Sequence, residues 1–235
     1  SERFPPRKFL SLTQLSKSST IACMNSIASL RELIFPVRCL GCDQLGISIC
    51  SQCRKFWHPR IIKTWSHSKE KFPIYSSIPY SPIAGKVLLS AKESSLELAD
   101  NLLKAALLHS LRGARSQNQI DFLVPIPSRK SVARKRGRQF ISVLSKSIGE
   151  SENLPTEEIL THTRKVRDQS NLDAKDRAAN LDKALISLRF LSGKAVLIDD
   201  LVTTGATLHE AARALRSKGI TVAAAVTACV AEPLR

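Results

Sequence analysis

Apolar positions change their spacing along the chain, and each change marks an element. Val196, Leu197 and Ile198 form an apolar run that ends in Asp199 and Asp200, and a short Thr/Gly loop follows. Beyond it Leu208, Ala211, Ala212 and Leu215 have helical spacing, so the stretch predicts strand, loop, helix. Upstream, Val87 and Leu89, then Leu96, Leu98, Leu102, Leu103, Ala106, Leu107 and Leu111, predict one or two amphipathic helices with Gly113 as the stop. Residues 121–127 predict a strand ended by Pro125 and Pro127, followed by a basic loop and a helix over 139–148. The Ala/Val run over 220–230 predicts a buried strand, set off by Gly219, and Gly193 with Lys194 a turn into the core strand. Residues 55–80, with Trp57, Trp65 and several prolines, predict a linker and edge strands. Strands alternating with helices predict an α/β fold with a doubly wound, mainly parallel sheet.

The 235 residues suffice for one substantial α/β domain and a small appendage. The expected division is 1–23 as a disordered or mis-annotated extension, 24–60 as a small metal-binding region, and 61–235 as the main domain. Met24 is the single methionine and precedes a short amphipathic segment over 27–35, so translation is expected to begin there. No apolar stretch approaches the ~20 residues of a membrane span, which predicts a cytoplasmic protein without membrane insertion.

Charge adds an anionic partner to this picture. The formal net charge is +16, densest at Arg129, Lys130, Arg134, Lys135, Arg136 and Arg138. Phosphate ligands of a small substrate, a solvated face and a nucleic-acid surface all fit such a cluster; aromatic residues for base stacking are few.

The loop after the acidic pair carries the sharpest chemistry. A loop opening a helix presents unpaired backbone N–H groups at the positive end of the helix dipole, where a phosphate monoester binds. Gly205 permits close backbone approach, Ala206 belongs to the same loop, and the hydroxyls of Thr203, Thr204 and Thr207 add donors. Asp199 and Asp200 can accept from vicinal hydroxyls and help hold a hydrated Mg²⁺, a combination suited to a sugar phosphate. The loop lacks the Gly-x-x-x-x-Gly-Lys pattern of a nucleoside triphosphate cradle.

Four of the six cysteines fall as Cys39-x-x-Cys42 and Cys50-x-x-Cys53, the spacing of a tetrahedral structural Zn²⁺ site. His58 is near enough in sequence to substitute as a ligand, but a surface histidine is the commoner use of such a residue. Such a site is coordinatively closed, so it folds the segment rather than catalyses.

Residues 196–207 resemble the signature of type I phosphoribosyltransferases, in which hydrophobic residues, an acidic pair and a Thr-Thr-Gly-x-Thr loop bind 5-phosphoribosyl 1-diphosphate. Together with Leu33-Ile34-Phe35-Pro36, the paired Cys-x-x-Cys units, Val124-Pro125-Ile126-Pro127, the basic loop, and Gln169, Leu172, Arg177 and Asn180, the arrangement is similar to the ComF family. That resemblance implies a type I phosphoribosyltransferase-like sheet with a small amino-terminal zinc ribbon, and an association with DNA uptake in competent bacteria. The chain departs from the family pattern at Arg136-Gly137-Arg138-Gln139-Phe140, and at Ala91-Lys92-Glu93-Ser94-Ser95, which keeps the lysine but lacks a glycine.

Two functional readings follow. In the first, the protein is an enzyme transferring ribose 5-phosphate from its 1-diphosphate to an unnamed acceptor. Asp199 and Asp200 are catalytic, residues 203–207 hold the 5-phosphate, and Arg129 and Lys130 with Mg²⁺ meet the diphosphate. Arg164, Lys165 and Arg167 are candidates on a flap. In the second, it is a non-catalytic module for single-stranded DNA or a helicase-like competence protein, contacted through Arg134, Lys135, Arg136 and Arg138, with the donor site kept as a sensor.

Overall fold

The computed structural model describes residues 36–67, 71–94, 96–163 and 183–231. The segment around Met24, Cys23, the flap candidates Arg164, Lys165 and Arg167, and Gln169, Leu172, Arg177 and Asn180 lie outside the described residues.

The chain runs α1 (Ser51–Arg54), β1 (Ile62–Trp65), β2 (Pro73–Pro79), α2 (Pro82–Ser94), α3 (Glu97–Arg115), β3 (Phe122–Pro125), α4 (Lys130–Arg136), α5 (Phe140–Glu152), β4 (Leu160–His162), β5 (Leu185–Ser187), β6 (Lys194–Val202), α6 (Ala206–Arg216) and β7 (Thr221–Val230). Five strands form one sheet in the order β1-β2-β7-β6-β3. β2, β7, β6 and β3 are mutually parallel, while β1 is an antiparallel edge. β4 and β5 form a separate antiparallel pair.

Period-two alternation along β6 feeds both faces of the sheet. Val196 and Ile198 pack with Leu103, Leu107 and Leu111 of α3 and Leu144 and Ile148 of α5. Ala195 and Leu197 pack on the opposite face with Leu208, Ala211 and Leu215 of α6 and with Ile159 and Leu185 beside and within the β4–β5 pair. Helices cover both faces, the doubly wound arrangement the alternation of elements predicts.

Two local expectations change. Gly113 does not stop its helix: α3 continues to Arg115, and the glycine lies under Ile61, whose Cδ1 would be 2.7 Å from an added Cβ. The stretch expected as a basic loop contains the short helix α4, closed by Gly137 in the left-handed region at φ 72°. Gly219, at φ 74°, and Gly193, at φ 131°, occupy turns as expected.

Parallel strands end together, and the carboxyl edge of the sheet is where the chain places its unusual groups. The Tyr80 amide donates to the Val230 carbonyl at 2.7 Å, joining the ends of β2 and β7. From there α2 crosses the edge, so that its last turn reaches Asp200 on β6. Among the described residues no helix is long and apolar enough to cross a membrane.

Candidate functional site: the carboxyl edge of the sheet

β6 carries Asp199 and Asp200 near its carboxyl end, and three residues later the chain turns into α6. Gly205 makes that turn at φ 73°, a left-handed conformation that favours glycine. The first backbone bond across the turn runs from the His209 amide to the Gly205 carbonyl, at 2.9 Å. The amides of Ala206, Thr207 and Leu208 precede it; that of Ala206 leans on Thr204 Oγ1 at 3.4 Å. Thr203, Thr204, Gly205, Ala206 and Thr207 are all partly exposed, so the loop opens to solvent rather than into the core.

The acidic pair is held apart from its ordinary chemistry by burial. Asp199 Oδ1 accepts from the Asp200 amide at 2.9 Å. Burial, then the neighbouring Asp200 charge, holds the Asp199 carboxyl well above the usual carboxylate range, against the pull of Lys92. Lys92 forms an ion pair with Asp200 Oδ2. Burial acts to lower the Lys92 ammonium, but Asp200 and Asp199 outweigh it and raise the lysine above its ordinary value. Cys229, buried on β7, is pushed up to about 12 by burial and the Asp200 charge, so it is an unreactive thiol.

A second loop reaches this edge from β3. The Ile126 amide donates to the Ile198 carbonyl at 2.9 Å, which carries the Pro127-Ser128-Arg129 turn alongside β6. Arg129 stands at the start of α4, followed by Lys130 as its first residue. The ring of His162 contacts the Pro127 carbonyl through Nε2 at 3.1 Å, and burial lowers its pKa. The amide of Thr163 donates to Ala184 at 2.9 Å, and its hydroxyl to the Lys183 carbonyl at 2.8 Å. The β4–β5 pair is tied to α6 by Glu210, which accepts from the Leu185 amide at 2.9 Å.

The basic cluster divides in two. Arg134 and Lys135 are exposed. Arg136 pairs with Glu93 at 2.8 Å, and Arg138 with Asp100 at 2.5 Å, its other nitrogen donating to the Ala91 carbonyl at 2.6 Å. These last two bind the segment around Gly137 to the α2–α3 junction. Sequence reasoning noticed Lys92 but gave it no role in the site. The missing signal was spatial: 108 positions separate Lys92 from its partner Asp200.

Beyond the acidic edge, the Sγ atoms of Cys39, Cys42, Cys50 and Cys53 lie within 4.8 Å of one another. A tetrahedral zinc with bonds of about 2.3 Å separates its sulfurs by about 3.8 Å, so the donor set fits such an ion. Backbone amides already serve the sulfurs: that of Cys50 donates to Cys39 Sγ at 3.3 Å and that of Cys53 to Cys50 Sγ at 3.5 Å. Burial acts to raise Cys39, but the surrounding backbone donors prevail and bring it down to about 6, in the thiolate range at neutral pH. His58 is exposed and stands outside the cluster. The cluster could hold a structural zinc, and the module docks against α2, where Lys86 Nζ donates to the Gly41 carbonyl at 2.7 Å.

The phosphoribosyl transferase domain family matches residues 99–233, more than half of the chain. Competence protein F of Haemophilus influenzae is 28% identical over 129 residues, 52% of this chain and 56% of that protein, so the match spans little more than half of the relative. An adenine phosphoribosyltransferase structure aligns with a TM-score of 0.40 at 9% identity, over 78% of this chain and 92% of that one. The enzyme of that name from Thermoanaerobacter pseudethanolicus aligns with a TM-score of 0.35 at 15% identity, over 74% and 84%. With the family match placed on β6, its loop and α6, the chain belongs to the phosphoribosyl transferase domain family, in its ComF-like form.

Proposed function

We propose that the carboxyl edge of the sheet binds 5-phosphoribosyl 1-diphosphate with Mg²⁺, in a bacterial cytoplasmic protein linked to competence and DNA uptake. One observation carries the reading: Asp199 and Asp200 stand near the carboxyl end of the strand that leads directly into the Gly205 turn. The residues 203–207 supply amides and hydroxyls for the 5-phosphate, with the positive end of α6 behind them. Asp199 and Asp200 accept from the ribose hydroxyls. Arg129 and Lys130, where the β3 loop enters α4, are the residues assigned to the diphosphate.

The adjacent carboxylates suit a hydrated Mg²⁺, which neutralises diphosphate charge when bound. Breaking the anomeric bond builds positive charge on the ribose and negative charge on the departing pyrophosphate. Asp199 and Asp200 stabilise the first, and the Arg129 and Lys130 side of the cleft stabilises the second.

Calorimetric titration of the donor with Mg²⁺, repeated with an oligonucleotide present, tests this reading. Saturable donor binding that disappears in Asp199→Asn/Asp200→Asn is expected; equal binding by that double variant would remove the site assignment. Release of pyrophosphate with any acceptor distinguishes turnover from a sensor. A module for single-stranded DNA or a helicase-like partner keeps the exposed Arg134 and Lys135 as its contact surface.

A further inference from the structure

The acidic edge contains a cation that the donor reading leaves without work. Lys92 lies in the last turn of α2, and its ammonium pairs with Asp200 while the side chains remain only 28% and 10% exposed. Burying such a pair contributes little net stability, because desolvation of both charges offsets their attraction. A chain that needed only a packed contact here would do as well with two apolar residues. An ammonium also carries three N–H donors. Among the described residues the pair with Asp200 is the one contact recorded for it, which leaves two donors beside the acids.

Electrostatics gives these donors a purpose. A diphosphate approaching the ionised Asp200 is repelled, whereas a sugar hydroxyl is attracted. A cation anchored on one of the acids reverses the sign at that point without vacating the other. Arg136 adds a second positive charge nearby, its guanidinium fixed on Glu93, the neighbour of Lys92, at 2.8 Å. Lysine suits the task better than arginine, because a compact charge with rotatable donors can serve a protein oxygen and a ligand oxygen together.

We propose that Lys92 is a specificity residue of the donor site: one of its N–H groups holds Asp200 while the others bind oxygens of the diphosphate, so that the site selects the 1-diphosphate over ribose 5-phosphate. This rests on the donor reading above. Arg129 serves the same diphosphate from the β3 loop, whereas Lys92 serves it from the Asp200 side.

The test compares affinities of the zinc-loaded full chain for 5-phosphoribosyl 1-diphosphate and for ribose 5-phosphate, with Mg²⁺, by calorimetry. Loss of charged hydrogen bonds predicts that Lys92→Met weakens diphosphate binding about tenfold or more while changing ribose 5-phosphate binding about threefold at most. Should that variant misfold, Lys92→Gln, which keeps a neutral N–H donor toward Asp200 but no charge, is measured in its place. The preference for diphosphate must again drop when the lysine is removed. Equal weakening of both ligands, with the preference intact, overturns the proposal and leaves Lys92 a counter-ion of Asp200. Wild-type protein that binds neither ligand removes the donor reading itself, an outcome distinct from an unaltered preference.

Discussion

Arg138 grips Asp100 with two nitrogens, at 2.5 and 2.9 Å, and uses one of them again on the Ala91 carbonyl at 2.6 Å. The carbonyl belongs to the last turns of α2, where helical acceptors lack a partner further along the chain. One guanidinium therefore closes α2, fixes the first turn of α3 and anchors the segment leading into α5.

This geometry separates residues that composition groups together. Arg138→Ala strands Asp100 in a partly buried position, and about 2 kcal/mol of stability should be lost. On the single-stranded DNA reading, Arg134→Ser with Lys135→Ser leaves stability unchanged, lowers affinity for an oligonucleotide and flattens its dependence on salt. Urea melts and binding titrations over a salt series check both halves. A denaturation midpoint that moves more for the exposed pair than for Arg138 contradicts the assignment.

The raised Asp199 carboxyl predicts how stability varies with pH. Above the ordinary carboxylate range the unfolded chain has already released this proton while the folded chain still holds it. The folded state then binds more protons, so stability falls as pH climbs through that window and stays reduced above the raised value. Asp199→Asn removes the effect: relative to wild type, it should gain stability increasingly toward neutral pH while losing donor affinity. Denaturant midpoints between pH 4 and pH 8 give the readout; parallel curves for the two proteins would sink the prediction.

The strand, turn and helix around residues 196–216 were legible because each signal there is local: an apolar run, adjacent acids, a glycine needing φ 73° and a helical repeat. The cysteine cluster was legible for the same reason, its spacing being the site. Lys92 was not, since a lysine ending an amphipathic helix has the same local pattern whether it meets water or Asp200. Arg136 and Arg138 share that ambiguity with Arg134, and tertiary partners alone divide them. Gly113 misled because a glycine that ends a helix and one that admits a neighbour look alike in sequence; Ile61, distant in the chain, decides the case.

The metal module should report its own integrity through tryptophan. Trp57 is buried in one apolar cluster with Cys39, Ile49, Ala84 and Val87, whereas Trp65 is 53% exposed on edge strand β1. In a Trp65→Phe background the remaining emission comes from Trp57. Purified protein should contain close to one zinc, and stripping it should shift that emission to longer wavelength as the module leaves α2. Lys86→Met, which deletes the bond to the Gly41 carbonyl, should ease the same release. Emission that stays fixed after complete removal of metal means the module packs without the ion.

Two glycines within helices give opposite expectations for one substitution. At Gly149 of α5, a Cβ would lie 2.5 Å from the Leu154 carbonyl oxygen and 2.7 Å from Thr156 Oγ1, because Asn153 turns the chain back at φ 54°. Backbone cannot rotate aside, so Gly149→Ala should cost about 2 kcal/mol even after the helix preference of alanine is counted. At Gly113 of α3 the obstacle is the terminal methyl of Ile61, a side chain 43% exposed and free to change rotamer. There the preference of roughly 0.8–1 kcal/mol for alanine offsets the crowding, and Gly113→Ala should be neutral or slightly stabilising. Urea denaturation of the two variants measures the difference. Equal losses at both positions would mean that the return of the chain over Gly149 is looser than its hydrogen bond from the Leu154 amide, 2.9 Å long, implies.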